Sequence, residues 1–387
     1  MQYRRMPIEV ESPEQMGYDK IRNNLSESSY TDHFFRDLDL GKELKNLVLA
    51  YGSHAGHEGL RELLAYDASS VPPTGSPLGA PHGARLQKDD ILLTIGAAAG
   101  LFIIATTLLE KDDELIVVRP NYATNIETPK AIGARIKYID IHFEDDFALD
   151  IGKIKDLITQ RTKYISVTYP HNPTGACLCE REIKELVSLA EDNDIKLLVD
   201  ETYRDMLFGE PLPLAAIYSP NVISVSSLSK TYGLPGIRMG WIVCKDPILM
   251  ETFLAAKEQI HISGSVLDEE IAFHYLQHKQ KHFEKIRKDL RGKFDIVKEW
   301  LTNQDGFEWV EPKGGCVCFP RMRRPERVDI DKFYKILLEK YGTYTGPGHW
   351  FDMPRHYMRV GYGWPTKQQL HEGLEGLSKS LEEAGHR

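Results

Sequence analysis

Lys230 lies in the segment SVSSLSKTYGLPGIRMGW, residues 224–241, just after an apolar run that reads as a strand. Ser227 stands three residues before it, Ser229 one before it and Arg238 eight after it. Hydroxyls and a guanidinium gathered beside one lysine suit a phosphate ester carried close to an imine. Arginine presents phosphate with a fork of donors, and a deprotonated lysine is a nucleophilic amine. Taken alone, the segment also reads as a surface lysine in a Ser/Gly-rich turn. Four upstream motifs weigh against that. Gly96, Ala97 and Ala98 stand where a strand meets a helix, and small residues there let backbone N–H groups and a helix N-terminus approach a phosphate. Tyr122 follows Pro120 just past another strand, where its ring can stack on a flat cofactor. TYPHNPTG sets Asn172 at a strand end, in a turn fixed by Pro173 and Gly175. LLVDETY offers Asp200 and, three residues on, Tyr203. An acid closing an apolar strand is costly to bury without a cation, and a protonated pyridine nitrogen is such a cation.

The elements that must position these residues are legible in the hydrophobic pattern. ILLTI, ELIVVRP, ARIKYIDI, KYISVTYP, IKLLVD, NVISVSS and MGWIVCK read as strands, and EREIKELVSLAEDN reads as an amphipathic helix. Near-continuous apolar strands separated by helices predict an α/β fold: a mostly parallel, seven-stranded-type sheet covered by helices on both faces. The proline- and glycine-rich stretch 69–83 predicts an irregular break before it. From about Ile260 the texture changes to long charged helices, then GGCVCFP as a short β-like patch and a last helix after Pro365. This predicts a large cofactor-binding domain over 50–265 and a smaller α+β domain assembled from both chain ends, 1–49 and 266–387.

A length of 387 residues exceeds what a single core usually serves and fits two lobes with room to shelter a cofactor. The formal charge of −9 supplies no basic field for nucleic acid or anionic lipid. Residues 91–109 carry no charge, but their glycines and threonines fit a strand, a small-residue turn and a helix start better than a membrane span. Five cysteines (Cys177, Cys179, Cys244, Cys316 and Cys318) include two Cys-x-Cys pairs, a spacing unsuited to structural zinc, and the histidines form no metal-like cluster. A sparse, odd cysteine count and no apolar signal-peptide core at the N-terminus predict a cytoplasmic protein.

The five motifs, in this order, resemble those of fold-type I pyridoxal-phosphate enzymes of the class I/II aminotransferase family, with matching segments running from Tyr51 to Arg359. The resemblance implies pyridoxal 5′-phosphate as cofactor, with Lys230 forming the imine to it and moving the substrate proton. It implies that Asp200 holds the pyridine nitrogen protonated, that Asn172 and Tyr203 bond the ring oxygen, and that Tyr122 stacks on the ring. Gly96, Ala97, Ala98, Ser227, Ser229 and Arg238 would surround the phosphate. Tyr51 matches the tyrosine that reaches the phosphate of a neighbouring subunit, which implies a homodimer with shared active sites. Arg359, in HYMRVGYG, matches the arginine that clamps the substrate α-carboxylate, beside which Asn172 would also contact substrate.

One segment departs from the family. Where members commonly carry Leu-x-x-Gly-x-Pro, residues 24–33 read NLSESSYTDH, without the glycine and proline. The region normally lines the pocket for the substrate side chain, which makes Tyr30, Asp32 and His33 candidate contacts: Asp32 for a cationic side chain, His33 as a second acid or base. The plainer alternative has Asp32 capping the helix FFRDL and His33 in solvent. The segment is similar to the arginine-processing branch of the family, which includes cyclases of hydroxyarginine and arginine oxidases. The expected function is Cα deprotonation of an L-amino acid, with transfer of its amino group to a 2-oxo acid as the first reading. An arginine or hydroxyarginine cyclase or oxidase is the second, and a carbon–sulfur lyase, suggested by PHNPTG, ranks behind both. His171 is expected to be a turn residue. A non-catalytic regulator would need a DNA-binding domain and a basic surface, neither of which fits.

Overall fold

The computed structural model describes residues 2–38, 40, 42–69, 85–209 and 212–385. Its larger sheet has seven strands, in spatial order Ile91–Ile95, Met239–Cys244, Val222–Ser227, Lys196–Asp200, Thr162–Thr168, Glu114–Arg119 and Arg135–Asp140. Met239–Cys244 runs antiparallel to both neighbours, and the other pairings are parallel. The seven apolar runs picked out in the sequence are these seven strands. Both faces are buried because successive side chains alternate between two cores: Leu197 and Val199 join one, and Leu198 joins the other with Leu92, Ile242 and Phe253. The second core lies under the helices Gly96–Leu108 and Pro247–His261. Residues 91–109 thus resolve into a strand and a helix, and among the described residues no helix is long and apolar enough to cross a membrane. The proline-rich stretch lies outside the described residues from 70 onward.

A four-stranded sheet brings the two ends of the chain together. Asn23–Leu25 pairs in parallel with Thr343–Pro347, which pairs antiparallel with Met358–Gly361, and that strand in turn pairs with Val317–Cys318. The helices Ile330–Glu339 and Lys367–Ala384 cover this sheet, and the long helix Lys279–Thr302 packs against the second of them. Glycines set the close approaches. A Cβ on Gly361 would meet the Glu27 carbonyl oxygen at 1.8 Å, and one on Gly373 would meet the Leu25 side chain at 2.8 Å. The strand bearing Arg359 therefore lies directly against residues 25–27. The same N-terminal segment then crosses to the larger sheet, where the Tyr30 N–H donates to the Lys230 carbonyl at 2.8 Å and the His33 N–H to that of Gly233 at 3.0 Å.

Candidate active site

Between the two sheets lies a cavity of about 360 Å³. Its floor is made by the C-terminal ends of parallel strands, where open α/β sheets characteristically place ligands. Asp200 ends one strand and Thr168 its neighbour, and Ser227, Ser229 and Lys230 follow the next strand round. All five line the cavity, with Ala97, Ala98, Tyr122, Asn172, Tyr203, Arg238 and Arg359.

One end of the cavity is built for a dianion. The helix Gly96–Leu108 begins there without a side-chain cap, so its first N–H groups and the positive end of its dipole are free. Gly96 has φ +72°, and a Cβ on it would strike the Arg238 guanidinium at 2.5 Å, so the absence of a side chain lets that guanidinium lie over the helix start. Arg238 Nη1 donates to the Ser229 hydroxyl at 3.4 Å, and the Ser229 N–H donates to the Ser227 hydroxyl at 3.3 Å. Uncapped N–H groups, a guanidinium and two hydroxyls form a set suited to a phosphate monoester.

Asp200 lies at the other end and is 7% exposed. The N–H and hydroxyl of Thr202 hold its Oδ1 at 3.1 and 2.6 Å, and among the described residues Oδ2 has no donor. Burial raises the pKa of this carboxyl against the pull of Thr202 and Lys230. A protonated ring nitrogen would satisfy the free oxygen and offset that burial. The donor set therefore fits pyridoxal phosphate at both ends, with Lys230 and the Tyr122 ring between them.

Arg359 is 4% exposed, and burial pulls its pKa down. Its Nη1 donates to Asn172 Oδ1 at 3.1 Å and its Nη2 to the Ser26 carbonyl at 2.7 Å, while Nε has no partner among the described residues. Phe351 and Trp350 lie 5.0 and 6.0 Å from the guanidinium and fix its plane. Tyr203 lines the cavity, but its hydroxyl donates to the Ser28 carbonyl at 2.9 Å, so it also ties the N-terminal segment to the larger sheet.

The structure places residues 30–33 apart from the cavity wall. Tyr30, Asp32 and His33 do not line the cavity. The turn 230–233 accepts their backbone, which draws them behind the Lys230 loop: a Cβ on Gly233 would lie 2.1 Å from the Thr31 carbonyl oxygen. Tyr30 packs against the Lys293 ammonium, 5.4 Å from its ring centre. Asp32 accepts from the Trp364 indole N–H at 2.9 Å and caps no helix, and the short helix Phe35–Asp37 has no side-chain cap. His33 is half-buried, edge-on to Tyr275, with its Nε2 buried and unpartnered among the described residues. Gly96 supports the anion end from behind Arg238, outside the cavity wall. Tyr51 is 84% exposed on the surface of this chain, away from its own cavity. His171 is the turn residue expected, with Nδ1 2.8 Å from the Thr174 hydroxyl.

Sequence reasoning missed Ser26, Glu27 and Ser28, three consecutive residues of the segment already singled out as unusual, and Glu14 and Trp350, which had no local signal.

A model of the family described as aminotransferase class I and II matches residues 36–377. The chain is 29% identical to an aspartate aminotransferase of Pyrococcus horikoshii over 78% of each chain. It is likewise 29% identical to a capreomycidine synthase of Streptomyces vinaceus, over 94% of this chain and 91% of that one. A solved pyridoxal-phosphate-dependent aminotransferase from Streptococcus suis superposes with a TM-score of 0.88 over the full length of both chains, at 26% identity. With a cavity whose two ends fit the cofactor, these likenesses make the chain a pyridoxal-phosphate-dependent enzyme of the class I and II aminotransferase family.

Proposed function

We propose that this enzyme removes the Cα proton of an L-amino acid and passes the amino group to a 2-oxo acid. The carrying observation is that Lys230, Asp200 and Arg359 open into one cavity with the anion-binding end formed by the Gly96–Leu108 helix and Arg238. The cofactor, once bound, supplies an electron sink for the pair left behind when the Cα–H bond breaks. Lys230 serves as the base at Cα and returns the proton. Asp200 would keep the ring nitrogen protonated, Tyr122 would stack on the ring, and Asn172 and Tyr203 would hold the ring oxygen. Arg359 receives the α-carboxylate through its free Nε edge and so orients the Cα–H bond toward Lys230. Tyr51, with the exposed Val48 and Leu49 near it, supports a homodimer in which this tyrosine serves the neighbouring site. The reading includes a cytoplasmic setting and the division of the chain into 50–265 and the two flanking stretches.

Purified enzyme mixed with single amino acids and 2-oxoglutarate tests the reading: glutamate should form stoichiometrically with loss of the amino acid. In Lys230→Ala the visible band of lysine-bound cofactor should disappear, and a wild-type protein with no cofactor absorbance would refute the assignment. A second reading, cyclisation or oxidation of an arginine or hydroxyarginine, is favoured by the similarity to capreomycidine synthase across nearly the whole chain. Turnover of either compound without any 2-oxo acid would replace the first reading with this one.

A further inference from the structure

The cavity carries more negative charge than the reaction above uses. Its lining includes the cations Lys230, Arg238 and Arg359 and the acids Glu9, Glu14, Glu27 and Asp200. Asp200 would hold the ring nitrogen, Arg238 the phosphate and Arg359 the α-carboxylate, and Lys230 would bear the imine and move the Cα proton. Three glutamates remain, all on the wall formed by residues 8–14 and 26–28. Glu9 is committed locally, since its carboxylate accepts from the Met6 N–H at 2.8 Å. Glu27 is half-buried, and its only hydrogen bond among the described residues comes from the Tyr18 hydroxyl at 3.2 Å. Removal from water raises its pKa, and the positive charges of Lys230 and Arg359 act on it without pairing with it. Glu14 acts on Glu27 as a like charge.

Arg359 gives an independent sign that a ligand completes this site. A guanidinium only 4% exposed leaves its Nε without a partner, and a substrate carboxylate is the acceptor that edge lacks. With the carboxylate there and the amine at Lys230, two of the Cα substituents would be fixed, and the cofactor would be held over the strand ends by Asp200 and Arg238. The wall carrying Glu27 and Glu14 is then open to the side chain.

We propose that the substrate is an amino acid with a cationic side chain, a guanidinium or an ammonium, and that Glu27 is the carboxylate that selects it, with Glu14 as a second negative charge at the mouth. This rests on the amino-acid reading of the site. A neutral side chain would leave Glu27 desolvated beside a like charge, and an anionic one would add a further like charge.

The test titrates the visible absorbance of the cofactor-loaded enzyme with L-arginine, L-lysine, L-leucine and L-glutamate, in the absence of any 2-oxo acid. Arginine or lysine should saturate at a concentration about tenfold or more below that for leucine, and Glu27→Gln should weaken that cation by roughly 10–100-fold while leaving leucine nearly unchanged. Glu27→Asp should recover part of the preference, and Glu14→Gln should reduce it less than Glu27→Gln does. Arginine ahead of lysine identifies a guanidinium, and the reverse order an ammonium. Saturation by leucine or glutamate at or below the concentrations needed for both cations would overturn the proposal while leaving the amino-acid reading in place, as would an equal loss for all four ligands in Glu27→Gln. A bound cofactor whose band responds to none of the four would overturn the amino-acid reading and this proposal with it. If Glu27→Gln does not fold, salt dependence in the wild type decides: cation binding should weaken with ionic strength far more than leucine binding.

Discussion

Arg359→Lys isolates the geometry of the carboxylate clamp from its charge. In the wild type, Nη1 is held by Asn172 at 3.1 Å and Nη2 by the Ser26 carbonyl at 2.7 Å, which leaves a guanidinium edge with a free Nε for the substrate. A lysine ammonium keeps the positive charge, but its donors radiate from one atom. Satisfying Asn172 and Ser26 leaves it no parallel pair for a carboxylate. The loss is then one charge-assisted hydrogen bond, about 1.5–3 kcal/mol. At 1.4 kcal/mol per factor of ten, substrate affinity should fall roughly 10- to 150-fold. The cofactor band should be retained, because no contact of Arg359 runs to the anion end of the cavity. Titration of that band with the preferred amino acid gives the affinity, and thermal denaturation of the same samples shows whether the variant is folded. A folded Arg359→Lys enzyme binding within about threefold of wild type would refute the clamp, since no loss on the scale of a charged hydrogen bond would have occurred.

Asp200→Asn should keep the fold and the bound cofactor yet lower turnover on the order of a hundredfold, because a neutral amide cannot hold the ring nitrogen protonated; single-turnover kinetics would show the loss in the proton-transfer step. Gly96→Ala should cost about 1–2 kcal/mol for a left-handed residue and push the Arg238 guanidinium off the helix start. Its mark should be faster loss of cofactor on gel filtration, with little change in amino-acid selectivity. Burial lowers the His171 pKa from 6.5 to about 4, so the neutral ring is favoured in the folded state. Between those values the unfolded chain binds a proton that the folded one does not, so stability rises with pH across this window and is fully present above pH 6.5. The full swing is about 3 kcal/mol, and His171→Asn should flatten the dependence of Tm on pH between about 4.5 and 6.5.

The larger sheet was legible because its strands are buried on both faces, so each appears as an unbroken apolar run such as LLVD or VISV, ended by a residue of different character. Those terminal residues carry the chemistry, and Asp200, Asn172 and Lys230 stood out as polar groups at the close of apolar segments. The anion end was legible for a similar reason: small residues at a strand-to-helix switch have few structural explanations other than close approach. The smaller sheet was legible only at GGCVCFP, the patch that holds Val317–Cys318. Its strands Asn23–Leu25 and Val317–Cys318 are three and two residues long, too short to show any period, and the first of them pairs with residues more than three hundred positions away.

The position of Asp32 apart from the cavity follows from the same physics. Asp32 and Glu27 are both acids within the same ten-residue segment, and nothing in composition ranks one above the other. What separates them is where the backbone turns. After Leu25 the chain is held against Gly361 and Gly363, with a Cβ on the latter 2.6 Å from the Ser29 carbonyl oxygen, so residues 26–28 lie along the Arg359 strand and face the cavity. From Tyr30 on, the backbone is bonded instead to the Lys230–Gly233 loop, and the side chains turn away from the cavity. Two glycines on a distant strand and one on the catalytic loop thus decide which acid meets the substrate. This implies that Gly361→Ala, which removes no polar group, should disturb selectivity: its Cβ would displace the Glu27 carbonyl from 1.8 Å. The expected result is weaker discrimination among amino acids with the cofactor band intact, and unchanged discrimination in a folded variant would show that the close packing does not set the position of Glu27.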